Sequence, residues 1–390
     1  MPRATPSTIN NIGNGLWTIA LPLLVYHLTR SSLSMGMTVA VEALSMLWQP
    51  LVGTWVDHTS PRRLLVGSLT YQAVVSALVP FLYDVHALTV GVIYAVVFLL
   101  GLGMNALQTV QTVLIPLMFP AVKDRASAGL TTAYTLTTIV GPLIAGVVLG
   151  TSGYPALFWL NALSFLAPIV LLPWTRVPGQ WRGAAQREES GWWERTQEGW
   201  RALRQYPLTR SLLAVLMALR LSTAAMLPLV EFVLKHRFGL SSALVSGVFV
   251  VDGLGSFLGT RVPVQWHPAS PKTVLIAMGG LNVVGLLCLW VPLWPAIAVG
   301  LFLVAVGYLG AAVTRNLLLQ NAFPVGMLGR VSTTFRTMTG MAGIAAPLVA
   351  GAITTAWGPA WAVAVLVAAA GVSVGYLVAP RVKSKPDAAA

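Results

Sequence analysis

The sequence predicts an all-α membrane protein with about twelve transmembrane helices, arranged as two pseudo-symmetric six-helix bundles. Hydrophobic residues make up 56% of the 390 residues and charged residues only 9%, and the mean hydropathy is +0.77. A soluble protein carries about 25% charged residues, so these charges are too few to cover a water-facing surface. Two further observations complete the prediction: apolar runs of membrane-spanning length recur along the chain, and its two halves resemble each other.

The helices are placed by apolar runs of about 20 residues that are bounded by Pro, Gly, Asn or charge. The predicted spans are 9–28, 35–56, 64–83, 88–118, 126–150, 155–174, 209–235, 241–262, 272–291, 295–320, 330–354 and 358–379. One long polar stretch separates the sixth span from the seventh. The predicted domains are therefore a first bundle over 1–174, a cytoplasmic linker over 175–208, a second bundle over 209–380 and a cytoplasmic tail over 381–390.

The linker itself carries a helical pattern. Trp193, Trp200 and Leu203 recur at helical spacing, and charged residues populate the other faces. This pattern predicts an amphipathic helix, which either lies at the cytoplasmic membrane surface or packs against the ends of the bundles.

The basic residues predict the orientation in the membrane. Eighteen of the 24 Lys and Arg fall on the side of the termini and the linker, three fall on the other side, and three lie within or near predicted spans. By the positive-inside rule both termini face the cytoplasm. The net charge of +13 then follows from topology, and no nucleic-acid partner is predicted. No cleavable signal peptide is visible over 1–14, so the first helix is expected to remain as an anchor.

An internal repeat relates the two halves. The segment Gly141–Gly146 (GPLIAG) matches Ala346–Gly351 (APLVAG) at an offset of 205 residues, and Gly153 matches Gly358 at the same offset. Such a series predicts two related bundles, with the second built on the plan of the first.

The segment after the second span has the residues of a known loop. The sequence GTWVDHTSPRR begins at Gly53 and resembles the loop 2–3 pattern G-x-x-x-D-[RK]-x-x-G-[RK]-[RK] of the major facilitator superfamily. The matching residues are Gly53, Asp57, Arg62 and Arg63. His58 and Pro61 depart from the pattern. The resemblance implies a gating motif that stabilises an outward-open state; the alternative is a basic loop that only sets topology.

Further segments resemble the drug and metabolite efflux branch of this family. Gly141, Pro142 and Gly146 stand as in the antiporter motif G-P-x-x-G-G, and Ala145 replaces one glycine. The segments NIGN at 11–14, LTRS at 28–31, EGWRAL at 198–203 and GLGSFLG at 253–259 are similar to macrolide-efflux and enterobactin-exporter sequences. Val97 occupies the helix 4 position where proton-coupled drug antiporters carry an arginine.

Charges within the predicted spans are candidates for function, because placing a charge in a bilayer is costly. They are Glu42, Glu231, Asp252, Arg220, Arg315 and Arg336. The three carboxylates are proton-coupling candidates, with Asp252 first because it lies near the middle of helix 8. The alternatives are an ion pair of Asp252 with Arg220 and an outer-gate hydrogen bond for Glu42. Arg315 and Arg336 either reach the interface or face the cavity, and in the cavity they would favour an anionic group on the substrate.

In the family that this chain resembles, helices 1, 4, 7 and 10 line the cavity. Their polar, charged and aromatic residues here, with Arg336 of helix 11, are the cavity candidates: Asn14, Trp17, Asn105, Gln108, Gln111, Arg220, Arg315, Asn316 and Arg336. The alternative for the neutral polar residues is hydrogen bonding between helices.

Other chemistry is not indicated. The five histidines form no metal-ligand spacing, and neither a P-loop nor a G-x-S-x-G elbow occurs, so we predict no cofactor, no metal and no enzymatic activity. The resemblance implies a monomeric, multi-pass secondary transporter of a bacterial-type plasma (inner) membrane. It would export amphipathic small molecules, as in multidrug resistance, by alternating access in exchange for protons across the lipid bilayer. The alternatives are an importer or lysolipid flippase of the same fold, and a membrane sensor without transport.

Overall fold

The structure is a computed structural model that describes residues 5–48, 61–118, 123–171, 207–265, 270–322 and 325–378. Within these ranges it describes the side chains of 13–48, 62–107, 136–170, 213–263, 270–315, 317–318 and 338–378. Most of the predicted linker, including its amphipathic helix, and the tail over 381–390 lie outside these ranges.

Helices account for nearly all of the described chain. In the first half they are α1 (Thr5–Thr29), α2 (Ser32–Leu44, continued by a 3-10 turn at Ser45–Trp48), α3 (Pro61–Asp84), α4 (Val90–Met118), α5 (Lys123–Thr151) and α6 (Gly153–Leu171). In the second half they are α7a (Pro207–Ala224), α7b (Met226–His236), α8 (Ser242–Gln265), α9 (Pro271–Cys288), α10 (Trp294–Ala322), α11 (Val325–Trp357) and α12 (Pro359–Val378).

This all-helical architecture confirms the predicted fold class. Within the described ranges, nine helical segments are long and apolar enough to cross a membrane, and Ser32–Trp48 and Leu136–Thr151 are shorter apolar helices. The helix ends lie within about five residues of the predicted ones, except that the predicted ends at 56, 174 and 379 fall outside the described residues. With α7a and α7b counted together, twelve helices follow one another in the described ranges, as predicted.

The seventh helix is interrupted, whereas the sequence predicted one continuous helix over 209–235. The two segments meet at Ala225, and Pro228 lies in the first turn of α7b. A proline has no backbone N–H and therefore cannot bond to the carbonyl four residues earlier, which weakens the helix at this point. Arg220 and Glu231, which the sequence places within one continuous helix, consequently lie on opposite sides of the break.

The short connections 30–31, 85–89, 152, 237–241, 289–293 and 358 lie at one end of the molecule, here called the distal end. Two of them rest on glycines that the repeat predicts to be equivalent. Gly153 (φ +75°) joins α5 to α6, and Gly358 (φ +92°) joins α11 to α12. A left-handed conformation costs glycine little, so each glycine lets two long helices reverse direction within one or two residues.

Contacts within each half form its core. In the first half α1 packs on α5 and α6, and α3 packs on α4 and α6. In the second half α10 packs on α8 and α9, and α12 packs on α7a and α9. Buried amides join neighbouring helices: the Asn161 Nδ2 donates to Ser76 Oγ (2.9 Å), and the Asn282 Nδ2 donates to the Val304 carbonyl (3.5 Å).

Two symmetric helix pairs join the halves. One is α2 with α11, and the other is α5 with α8. Each pair brings a helix that carries the repeated Gly–Pro or Ala–Pro segment against the second helix of the opposite half. The two halves thus meet through equivalent surfaces, as the repeat in the sequence suggests.

An apolar cluster joins the two halves near the distal end. Most of its buried members belong to the second half, on helices from α7a to α12, and they include Leu229, Val230, Val245, Phe249, Ala346 and Ala350. On the first half, α1 contributes Ile19 and Leu23. Because burial of these side chains removes them from both water and lipid, the cluster holds the distal half of the molecule closed in this conformation.

Candidate functional site

A chain of polar contacts begins in the first half, at the middle of α4 and the end of α2. The Asn105 Nδ2 donates to Ser45 Oγ (3.1 Å), and Ser45 Oγ donates to the backbone carbonyl of Glu42 (2.6 Å). Gly101 on α4 leaves room for this contact, because a Cβ at that position would overlap Ser45. The predicted cavity residue Asn105 thus helps to position the α2 segment that carries Glu42.

The guanidinium of Arg220 on α7a faces Glu42 across the interface between the halves. Arg220 is the positively charged group that acts electrostatically on the Glu42 carboxylate. Among the described residues, however, no carboxylate oxygen lies within 4.0 Å of the Arg220 nitrogens. Both side chains are partly exposed. The Arg220 Cζ also lies 5.9 Å from the centre of the Tyr308 ring on α10. These three side chains form the central group of the candidate site.

Gly343 on α11 completes this group. A Cβ added there would lie 3.4 Å from Arg220 Nη2 and 3.8 Å from the Cβ of Ala43. The absence of a side chain therefore leaves the space that the guanidinium occupies beside α2.

Asp252 lies in the middle of α8 and is partly exposed, as expected of a group that faces an internal space. No described residue forms an ion pair or a hydrogen bond with its carboxylate. Because Arg220 is directed toward Glu42 instead, the alternative of an Asp252–Arg220 ion pair does not hold in this conformation. The neighbouring Gly253 packs against the backbone carbonyl of Thr138 on α5.

Glu231 on α7b is fully buried, and neither of its carboxylate oxygens has a hydrogen-bond partner in the described part of the chain. Lys235, one turn further along α7b, and Tyr154 on α6 are the titratable groups that act on it electrostatically. Arg30, from the connection between α1 and α2, acts in turn on Lys235 and Tyr154. Glu231 thus belongs to the distal end and is separate from the central group.

The buried position of Glu231 leads to a stability prediction. Replacing Glu231→Met removes two unpaired oxygens at similar volume and is expected to raise the free energy of unfolding by about 1–3 kcal/mol. Thermal unfolding of the purified protein, followed by tryptophan fluorescence, measures the change, with Asp84→Asn at the exposed end of α3 as the control. A lower unfolding temperature for Glu231→Met would contradict the unpaired carboxyl seen here.

The distal end is sealed by contacts between uncharged groups. Ser32 Oγ donates to the Gly351 carbonyl (3.1 Å) and lies 3.1 Å from Thr355 Oγ1. On the symmetric side, the Tyr154 hydroxyl lies 3.0 Å from Ser242 Oγ. These contacts, with the glycines described next, are here called the distal seal.

Glycines bring the backbones together in the distal seal. A Cβ on Gly36 would overlap the carbonyl of Pro347, and a Cβ on Gly351 would lie 3.0 Å from the carbonyl oxygen of Ser32. On the other side a Cβ on Gly146 would lie 3.0 Å from the carbonyl oxygen of Ala243. The predicted antiporter-like motif therefore contributes Gly146 to the seal, and its counterpart in the repeat contributes Gly351.

The other two residues of that motif lie deeper in the first half. A Cβ on Gly141 would lie 2.8 Å from the Cα of Gly15 on α1, so the pair allows α1 and α5 to approach closely. Pro142 lies within α5. The position of Gly141 shows a packing function between α1 and α5.

Of the remaining predicted residues, the structure describes the side chains of Trp17, Asn14, Arg315, Arg62 and Arg63. Trp17 is 2% exposed and packs edge-to-face against Phe158 (5.3 Å), so its ring lies in the core of the first half and does not face a cavity. Asn14 is partly exposed on α1 and Arg315 is partly exposed on α10. Arg62 and Arg63 are exposed in the first turn of α3. The predicted residues that lie outside the described side chains are Gly53, Asp57, Gln108, Gln111, Asn316 and Arg336.

Several residues of this arrangement were not predicted. Tyr308 and Ser45 beside the central charges, and Ser32, Thr355 and Ser242 in the distal seal, are common residue types without a distinctive spacing. The segment GLGSFLG at 253–259 was singled out in the sequence, and its Gly253 and Gly255 are both positions where two backbones approach closely.

Known proteins share both the sequence pattern and the fold. A family description, "Major Facilitator Superfamily", matches residues 7–268. The multidrug efflux pump Tap of Mycolicibacterium fortuitum is 27% identical over 369 residues, covering 89% of this chain and 87% of Tap. Tap of Mycobacterium tuberculosis (strain ATCC 25618 / H37Rv) is 24% identical over 363 residues, covering 89% of this chain and 84% of that protein.

Solved structures of membrane transporters have the same fold as this chain. A mutant of the nucleoside transporter NupG superposes with a TM-score of 0.72 at 16% identity, over 95% of this chain and 97% of NupG. A bacterial homologue of the iron transporter ferroportin in an inward-facing state has a TM-score of 0.72 at 16% identity, over 96% of both chains. The match to the family covers well over half of the chain, and the fold agrees with it along nearly the whole length. This chain therefore belongs to the Major Facilitator Superfamily of membrane transporters.

Proposed function

We propose that this chain is a secondary active exporter of amphipathic small molecules, which moves them out of the cytoplasm in exchange for protons. The central group carries the proposal: Glu42 and Arg220, opposite charges from the two halves, face each other beneath a closed distal seal. Charged groups in the interior of a membrane protein are costly and are retained mainly for function. The similarity to the efflux pump Tap over most of both chains supports export.

The proposed mechanism is alternating access between two bundles, 1–174 and 209–380, joined by the linker over 175–208. The distal seal then corresponds to a state open toward the cytoplasm, since the basic residues assign the opposite end to that side. Outward opening would separate α2 from α11 and α5 from α8, and the central group would then face the outside.

The proton would be carried by a carboxylate within the membrane. Asp252 and Glu42 are the candidates at the level of the central group, because both are partly exposed in the middle of the molecule. Glu231 is a third candidate, but its burial at the distal end means that it could exchange a proton only after the seal opens. Neither metal nor cofactor is required for this exchange.

Proton flux in proteoliposomes tests the proposal. We expect an imposed gradient of the lipophilic cation ethidium, of a macrolide, of a catechol siderophore or of the zwitterionic dye tetramethylrhodamine to drive proton movement through the native protein. Asp252→Asn or Glu42→Gln should reduce that movement at least tenfold, whereas the control Asp84→Asn should retain it. Transport without proton movement would refute the exchange, and the absence of flux for all four compounds would refute the exporter.

A lipid flippase of the same fold is a second candidate. An apolar recess of about 120 Å³ lies between α7a, α11 and α12 and is lined by Leu221, Ala345, Ala346, Val349, Ala350, Ala362, Val365, Leu366 and Ala369. Leu221 adjoins Arg220, so an acyl chain in the recess would bring a lipid headgroup near a positive charge. Translocation of a fluorescent lysolipid in the same proteoliposomes, without flux of the four compounds above, would favour the flippase.

A further inference from the structure

The central group is unusual because its two charges attract each other without forming a contact. Glu42 and Arg220 interact electrostatically, but their charged atoms are more than 4.0 Å apart, and neither side chain has a hydrogen-bond partner among the described residues. A guanidinium has five N–H donors and a carboxylate has about four acceptor positions. The described residues therefore leave the hydrogen-bonding capacity of both groups open.

The surroundings of the two charges separate them and keep them accessible. Glu42 is held on α2 by the Ser45 and Asn105 contacts, which use its backbone carbonyl and leave its carboxylate unoccupied. Arg220 is held on α7a beside the face of Tyr308 and above Gly343. Both charged side chains are partly exposed, so a ligand between the halves can reach them.

From this geometry we infer that the central group binds a zwitterionic small molecule, with its cationic group at Glu42 and its anionic group at Arg220. The inference rests on the proposed function and deepens it by naming the charge class of the substrate. A molecule with only a positive charge would satisfy Glu42 and be repelled by Arg220, and a molecule with only a negative charge would meet the opposite conflict. A zwitterion of matching length satisfies both groups at once.

The site also favours an aromatic or otherwise flat ligand body. The Tyr308 ring lies beside the guanidinium, which itself occupies the space that Gly343 leaves next to α2. A planar ligand can therefore extend along the ring while its two charged ends reach the two halves of the protein.

Three xanthene dyes that differ mainly in charge test the inference: tetramethylrhodamine (zwitterion), its methyl ester (cation) and fluorescein (anion). Binding to the full chain in nanodiscs whose lipids carry no net charge is followed by fluorescence anisotropy, with empty nanodiscs as the blank. We expect the native protein to bind tetramethylrhodamine at least tenfold more tightly than either of the other dyes.

Separate variants test which residue binds which charged group of the ligand. Arg220→Gln should weaken binding of tetramethylrhodamine at least tenfold and leave the methyl ester unchanged or more tightly bound, so that the preference disappears. Glu42→Gln should strengthen binding of fluorescein relative to the native protein. Arg237→Gln and Asp84→Asn remove exposed charges at the distal end and should preserve the native preference.

The inference fails if the native protein binds the methyl ester as tightly as tetramethylrhodamine, or if it binds none of the three dyes. It also fails if Arg220→Gln and Arg237→Gln have equal effects. Flux of the methyl ester through native proteoliposomes distinguishes this failure from failure of the proposed function, because export would then hold without the preference for a zwitterion.

Discussion

Oxidation of a variant that carries Ser32→Cys, Thr355→Cys and Cys288→Ala is expected to reduce transport to less than a tenth of its value under reducing conditions. The Ser32 and Thr355 oxygens are 3.1 Å apart on α2 and α11, so sulfur atoms at these positions are close enough to bond. A covalent link there would hold the two halves together at the distal end. Transport by alternating access requires these helices to separate, so the link should stop each cycle.

The measurement is substrate uptake into inverted vesicles before and after oxidation, with recovery on adding dithiothreitol. A matched control carries Ser32→Cys and Cys288→Ala but keeps Thr355, so it has no second thiol across α2 and α11. Oxidation cannot form the link in this control, and its transport should be unchanged. Undiminished transport by the cross-linked Ser32→Cys, Thr355→Cys protein would show that the distal seal does not open.

Gly253→Ala is expected to lower transport at least tenfold by preventing closure of the distal side. A Cβ at this position would overlap the carbonyl oxygen of Thr138 and lie 2.7 Å from its carbon, and a backbone group cannot move aside as a flexible side chain can. Overpacking of this kind costs about 1–3 kcal/mol. Since α5 and α8 separate in the proposed distal-open state, the cost falls on the distal-closed state, and the balance between the two states should shift about 5- to 150-fold toward distal-open.

Labelling reports this shift directly. In a background of Cys288→Ala, a thiol introduced by Ser246→Cys is buried beside α5 when the seal is closed, so a membrane-impermeant maleimide should label it faster in the presence of Gly253→Ala. Gly247→Ala is the control on the same helix, because no atom lies within 4 Å of a Cβ there. Equal labelling rates with Gly253→Ala and Gly247→Ala would mean that close packing at Gly253 does not govern closure.

The helices and their order were predictable from the sequence for a simple physical reason. A bilayer requires about 20 apolar residues per span, so each helix of this chain can be recognised by length and composition alone. The repeat around Gly146 and Gly351 also predicted that the two halves are alike. The break at Ala225 was missed, since a proline within a membrane helix often leaves the helix continuous.

The candidate site was predictable only in part. Glu42, Arg220 and Asp252 were singled out because a charge within a span is rare, and that rarity is visible in the sequence. Which charges face each other depends on how helices pack, and the sequence offered Asp252 as the partner of Arg220 where the structure has Glu42. The contact of Ser32 with Thr355 joins residues more than 300 positions apart, and no local pattern indicates such a pair.

The interruption of the seventh helix has a consequence for the symmetry of motion. Its counterpart in the first half, α1, runs from Thr5 to Thr29 as one helix, whereas α7a and α7b meet at Ala225. A jointed helix can tilt its distal segment while its other segment stays in place, whereas α1 stays helical through Pro22 and is less free to do so. The distal opening would then be asymmetric. The segment α7b would move away first and admit water around Glu231, while Arg220 and the first half kept their positions.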